Sequence, residues 1–231
     1  MYRRQLIVRD NPKSSIAEAY RTFRTNIQHS KVDGELKSIM FTSSGVGEGK
    51  SVVAANVAIA FAQAGAKVIL LDCDLRRPVQ HLVFGRVATG ITNILVGDGT
   101  ISDYLQETDT LNLKILASGP IPPNPSELLN GKRMAALLSD LRKQADYLII
   151  DTSPVLPVTD ACVLASKVDG IVMVIGAGIA RPEMAQRASE ALEQVNGLVV
   201  GVMLNRVKTD DVLKDYSRYY GYYGEAKKTA N

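Results

Sequence analysis

An apolar run at residues 39–42, a loop reading Ser43-Ser44-Gly45-Val46-Gly47-Glu48-Gly49-Lys50-Ser51 and a helical stretch at 51–64 follow one another directly. This succession limits the fold more than any other feature of the chain. Glycines at 45, 47 and 49 let the backbone curl so that successive N–H groups point at one anion. The helix behind them aims the positive end of its dipole at the same point. Lys50 is then placed to bridge the β- and γ-phosphates of a nucleotide, and Ser51 to offer its hydroxyl to Mg2+. Gly45, Val46, Gly47, Glu48, Gly49, Lys50, Ser51 and Val52 are the expected nucleotide-binding segment. The strict pattern has glycine six residues before the lysine, where this chain has Ser44. The bland alternative, a glycine-rich turn without a ligand, is disfavoured by the strand–loop–helix setting.

Beyond the loop, short apolar runs alternate with helical segments. Strands are expected at 39–42, 68–72, 113–116, 147–151, 171–175 and 198–204. Helices are expected at 14–30, 51–64, 126–144, 159–167 and 182–195. Runs of Val, Ile and Leu without alternation mark strands buried on both faces, and their alternation with helices marks a parallel sheet. The expected fold is therefore α/β, in three layers around a mostly parallel sheet. In the first helix Ser15 and Glu18 suggest a capping box, with Ile16, Ala19, Tyr20, Phe23 and Ile27 on one face. The proline-rich segment 119–125 reads equally well as a rigid connector or as a loop flanking the nucleotide, with Ser126 capping the next helix. Periodicity ends after Arg206, and residues 208–231 read as a mobile tail. Three parts follow: an N-terminal segment with an interface helix (1–37), a core (38–207) and the tail.

Composition narrows function by exclusion. Apolar residues make up 46% and charged residues 22%, so disorder over most of the length is excluded. The net charge of +3 comes without a concentrated basic patch, which argues against nucleic acid as a partner. Cys73 and Cys162 lie far apart in apolar segments, the usage of a reducing compartment. The N-terminal six residues have charge but no apolar stretch behind them, so a signal peptide is not expected. The longest apolar stretch, 52–71, contains Asn56, Gln63, Gly65 and Lys67 and does not read as a bilayer span. A cytoplasmic protein is expected, with any membrane recruitment through a partner.

Three carboxylates end wholly apolar strands: Asp72 and Asp74 after one, Asp151 after another. In a parallel sheet such ends lie on one edge, beside the phosphate loop. Mg2+ takes one or two carboxylates together with phosphates and water, so Asp151 and one of the Asp72/Asp74 pair suit it. The remaining acid is left to orient or deprotonate a nucleophile.

Together these motifs resemble the bacterial tyrosine kinases (BY-kinases) that govern capsule and exopolysaccharide synthesis. The resemblance rests on the Ser-Ser-x-x-Gly-Glu-Gly-Lys-Ser loop, Asp72-x-Asp74-x-Arg76, Asp151-x-x-Pro154, Glu18-x-x-Arg21-x-x-Arg24 and five of the nine tyrosines (Tyr216, Tyr219, Tyr220, Tyr222, Tyr223) within eight residues. Val46 and Ser153 stand where the family usually has proline, and Cys73 where a small residue is common. The resemblance implies a three-layer P-loop NTPase fold with a flexible C-terminal tail, and ATP and Mg2+ as cofactors. It implies Asp72 as the group that orients the tyrosine or takes its proton, and Ser51, Asp74 and Asp151 for the metal. Lys50, Asp72, Asp74 and Asp151 form the catalytic set, and Asn205 is carried over as the adenine contact. It also implies a ring of subunits joined through Glu18, Arg21 and Arg24, in which tail tyrosines are phosphorylated in trans. The implied partners are a membrane activator of the polysaccharide co-polymerase type and a phosphotyrosine phosphatase. A partition-type ATPase switch is the alternative; those proteins carry a lysine five residues before the main one, where this chain has Gly45.

Overall fold

The computed structural model describes residues 6–30 and 36–207. Strands β1 (Ser38–Ser43), β2 (Val68–Asp72), β3 (Gln106–Glu107), β4 (Leu113–Leu116), β5 (Tyr147–Asp151), β6 (Gly170–Gly176) and β7 (Val199–Asn205) form one sheet. Their order is β3-β4-β2-β5-β1-β6-β7, parallel throughout except for the β3–β4 pair. The alternating residues of each inner strand are buried on both faces: Ile39 and Phe41 on one, Met40 on the other. This is why these strands read as unbroken apolar runs.

One face carries α1 (Ile7–Asp10), α2 (Ser15–His29), α3 (Lys50–Gln63) and α4 (Gln80–Phe84). The other carries α5 (Ile91–Val96), α6 (Ile101–Tyr104), α7 (Pro125–Asn130), α8 (Lys132–Arg142), α9 (Asp160–Ala165) and α10 (Pro182–Glu193). Helix α3 is buried nearly all round, because the sheet lies on one side and α1 and α2 on the other. Its alanines at 54, 55, 58, 60 and 62 let these neighbours approach closely. The Val8 N–H donates to Asn56 Oδ1 at 3.0 Å, fastening α1 to α3. Phe23 of α2 reaches the sheet itself, its ring centroid 6.4 Å from that of Phe41.

Three local expectations differ from the structure. The cap of α2 is Ser14, whose side chain accepts from Ala17 N, and not Ser15. Tyr20, Phe23 and Ile27 face the core as expected, but Ala17 is buried there in place of Ile16, which is 54% exposed, and Ala19, which is exposed. The single helix expected over 126–144 is two, because Gly131 takes an extended ψ of 155° between α7 and α8. Asn124, not Ser126, is the first cap position there, and Ser126 turns instead to Asp160. The short elements α1, α4, α5, α6 and β3 have too few residues to show a period. The expected tail, with all five clustered tyrosines, lies outside the described residues.

Candidate active site

The site forms where β1, β2 and β5 end. β5 lies between β1 and β2, with Asp151 in register with Phe41 on one side and Asp72 on the other. β1 runs into the phosphate loop, and α3 begins at Lys50. Gly49 caps that helix with φ 93°, and a Cβ there would sit 2.2 Å from Asn205 Nδ2, so glycine is required on both counts.

Lys50 is the centre of the arrangement. Its Nζ donates to Asp74 Oδ2 at 2.8 Å, Asp151 Oδ1 at 3.1 Å and Ser51 Oγ at 3.2 Å. Burial alone lowers the pKa of this lysine, but the carboxylates of Asp151 and Asp74 outweigh it, and the net shift is upward. Three oxygens thus converge on one cationic point. Among the described residues no group of three or more His, Cys, Asp or Glu side chains is arranged to hold a metal alone. Two carboxylates and a hydroxyl nevertheless suit Mg2+, which brings phosphate oxygens and water as its other ligands.

The two acids of the Asp72/Asp74 pair differ sharply. Asp74 lines the cleft, whereas Asp72 is fully buried beneath its wall. Asp72 Oδ2 accepts from Val79 N at 2.9 Å and Gln80 N at 2.8 Å, and Oδ1 has no hydrogen-bond partner. Burial, then the neighbouring charge of Asp151, raises its pKa to about 7.

A cleft of about 880 Å3 opens over the loop, lined by Gly45, Val46, Gly47, Gly49, Lys50, Ser51 and Val52. Two expected nucleotide residues turn their side chains elsewhere. Glu48 is buried: Oε1 accepts from Ser44 Oγ and Gly45 N, both at 2.6 Å, and Oε2 from Gly176 N at 2.9 Å. Asn205 Nδ2 donates to the Glu48 carbonyl at 2.8 Å, so this amide holds the loop, and it is the next residue, Arg206, that lines the cleft. The proline-rich segment 119–125 contributes nothing to the wall; Pro154 and Pro157 do.

Several site residues were not foreseen from the sequence. Arg77 and Arg206 face the cleft; Arg76, part of the Asp72-x-Asp74-x-Arg76 motif but with no role assigned there, forks onto the buried Asp160 with Nε at 2.8 Å and Nη2 at 3.0 Å. Ser126 also donates to Asp160, joining α7, α9 and the turn after β2. Gln80 is fully buried against Asp151. A second basic residue in Arg-Arg-Pro was the only signal for Arg77, and none marked Gln80.

Glu18, Arg21 and Arg24 do not share one environment on α2. Glu18 and Arg21 pair at 2.8 Å, and Arg21 Nη2 donates to the Pro12 carbonyl at 2.7 Å. Arg24 instead points inward, its Nη1 donating to the Ala60 carbonyl in the last turn of α3 at 3.0 Å.

Residues 36–195 match the AAA domain family. The chain is 43% identical over 222 residues to the tyrosine-protein kinase YwqD of Bacillus subtilis, covering 96% of this chain and 92% of that protein. It is 36% identical over 210 residues to the tyrosine-protein kinase CpsD of Streptococcus agalactiae, covering 90% of each. The crystal structure of the chimerical protein CapA2B2 superposes with a TM-score of 0.85 at 38% identity, covering 88% of this chain and 90% of that one. A glycine loop, a buried lysine held by paired carboxylates and kinase relatives matched over nearly the whole length lead to one conclusion: the chain belongs to the bacterial tyrosine-protein kinase family.

Proposed function

We propose that the chain transfers the γ-phosphoryl group of ATP, with Mg2+, to tyrosines of its own C-terminal cluster in neighbouring copies. The observation that carries this reading is the convergence of Asp74, Asp151 and Ser51 on Lys50 Nζ at the mouth of the phosphate loop. Ser51, Asp74 and Asp151 would hold Mg2+, which supplies positive charge against the transferred phosphoryl group. Lys50 leaves its carboxylates for the β- and γ-phosphates, and the loop N–H groups complete the cradle. Asn205 Oδ1 is assigned to the adenine, its Nδ2 being committed to the loop.

Asp72 takes the tyrosine proton late in the transfer. An ordinary aspartate at ~3.9 lies about six units below a tyrosine at ~10, roughly 8 kcal/mol uphill. A carboxyl raised to about 7 cuts that difference to roughly 4 kcal/mol. The unpartnered Oδ1 is the oxygen available for the proton, and the turn at Val79 and Gln80 must shift to admit the hydroxyl.

Eleven residues lie between Asn205 and Tyr216 counting Tyr216 itself, so a tail spanning at most ~40 Å leaves the sheet beside the cleft. Each phosphotyrosine adds about −1.5 to −2 charge, which opposes re-entry among acidic ligands and favours release. The chain is assigned to a ring of copies, regulating capsular or exopolysaccharide synthesis, with a membrane adaptor as activator and a phosphotyrosine phosphatase as its counterpart. Among the described residues no helix is long and apolar enough to cross a membrane. The partition-type switch finds no support in the loop: five residues before Lys50 stands Gly45, its N–H taken by Glu48.

Intact mass after incubation with Mg2+ and ATP tests the reading, beside Lys50→Met and a variant with all five clustered tyrosines changed to Phe. Phosphate-sized steps in the wild type alone are expected. Phosphate released to solution, with no step in mass, favours the ATPase switch.

A further inference from the structure

Gln80, the first residue of α4, is fully buried at the heart of the site. Its Nε2 donates to Asp151 Oδ2 at 2.8 Å and to the Ser51 carbonyl at 3.0 Å. Both partners are acceptors only, so the amide can sit in just one of its two orientations, with Nε2 towards them. Its Oε1 is buried and accepts no hydrogen bond. A core glutamine with an unpartnered oxygen is a poor choice for stability alone. What its amide does hold is the oxygen of Asp151 that faces away from Lys50, leaving Oδ1 turned to the lysine at 3.1 Å. The same fork reaches the first turn of α3, where Ser51 resides. The Gln80 N–H, meanwhile, is anchored on Asp72 Oδ2 at 2.8 Å.

We propose that Gln80 is a positioning residue for the cation site: its amide fixes Asp151 so that one oxygen alone faces the cation, and locks that carboxylate to the turn carrying Ser51. The inference rests on the assignment of Ser51, Asp74 and Asp151 to Mg2+. An unrestrained carboxylate at a strand end can rotate about χ2 and present either oxygen or both. One donor on Oδ2 removes that freedom before the metal arrives. Groups that orient metal ligands in this way are typically worth 10–100-fold in metal affinity or activity.

The test is calorimetric binding of ADP to the full chain, once with Mg2+ and once with EDTA, for wild type, Gln80→Leu and Gln80→Met. The wild type is expected to bind ADP more tightly with Mg2+. Gln80→Leu should keep its affinity in EDTA within about twofold and lose about 10-fold or more of the Mg2+-dependent gain. Gln80→Met has nearly the same reach and no donor for Asp151 Oδ2, and should lose as much. In phosphoryl transfer, kcat should fall by about 10–100-fold with the KM for the tyrosine acceptor within twofold. A purely structural role would move both ADP affinities together. Should Gln80→Leu fail to fold, Gln80→Met, which keeps the length of the side chain, decides. A Mg2+-dependent gain kept within twofold in Gln80→Met overturns the proposal and leaves the metal assignment standing. A wild type with no Mg2+-dependent gain overturns the metal assignment and this proposal with it.

Discussion

Asp72 is expensive to keep ionised, and the cost has a definite pH signature. Its pKa is about 7 in the folded chain, against an unfolded value near 3.8. Below the unfolded value both states carry the proton and the group contributes nothing to the pH dependence. Between the two values the folded state binds a proton that the unfolded state does not, so stability falls as pH rises. Above about 7 both are ionised and the full penalty, on the order of 4 kcal/mol, is present. Asp72→Asn keeps an oxygen for Val79 N and Gln80 N but removes the charge. Urea denaturation should show the wild type losing roughly 2–3 kcal/mol more than this variant between pH 5 and pH 8. Equal pH dependence in the two proteins would show that Asp72 stays charged throughout. The same variant should still bind ATP and lose phosphoryl transfer. That Lys50, Ser51, Asp151 and one of the Asp72/Asp74 pair meet was legible in the sequence, because carboxylates that end apolar strands beside a glycine loop have little to act on except a cation; only the family resemblance singled out Asp74. Gln80 was not, because an uncharged side chain two residues after a proline acquires meaning only when α4 folds it under Asp151.

The phosphate loop is an element held from outside itself. Glu48 joins the loop's start to the end of β6 through Ser44 Oγ, Gly45 N and Gly176 N, while Asn205 at the end of β7 grips the Glu48 carbonyl. A glutamine at 48 has one acceptor oxygen for donors on two sides. Whichever way it flips, an NH2 group meets an N–H or hydroxyl, and one buried donor loses its partner. Glu48→Gln should therefore weaken ADP binding about 10-fold, roughly 1.4 kcal/mol, and lower stability by roughly 1–3 kcal/mol. An unaltered dissociation constant would mean that nucleotide orders the loop without this brace. The sequence places Glu48 in the nucleotide site by position alone; its side chain serves the site from behind. The strands and α3 were legible for a related reason, since burial on both faces leaves no room for polar interruption. The break at Gly131 and the cap of α2 were not, because one depends on a single residue's backbone and the other on a shift of one position.

At the scale of the whole molecule, residues 6–29 pack into the core through the apolar face of α2 and through α1. Leu6, Val8, Ala17, Tyr20 and Ile27 share one apolar cluster with α3 and the sheet. The charged residues of helix α2 accordingly differ in what they face. Arg24 serves the fold, capping the last turn of α3 through the Ala60 carbonyl at the end where the helix dipole favours a cation. Glu18 and Arg21 face outward as a pair, with the Glu18 side chain 65% exposed. An exposed pair of this kind is worth only a few tenths of a kcal/mol within its own helix. Arg21 also donates to the Pro12 carbonyl, so removing the pair should cost the monomer about 1 kcal/mol, and more only where a neighbouring copy uses it. Glu18→Ala with Arg21→Ala should lower stability by no more than about 1.5 kcal/mol and shift the assembly to monomers in light scattering. Arg24→Ala should instead cost roughly 1–2 kcal/mol in any state of assembly. If the double variant keeps its assembly and Arg24→Ala alone dissociates it, the outward pair is not the contact. Subunit association would then act through the packing of α2 on α3, and so through the same helix whose first turn presents Lys50 to the nucleotide.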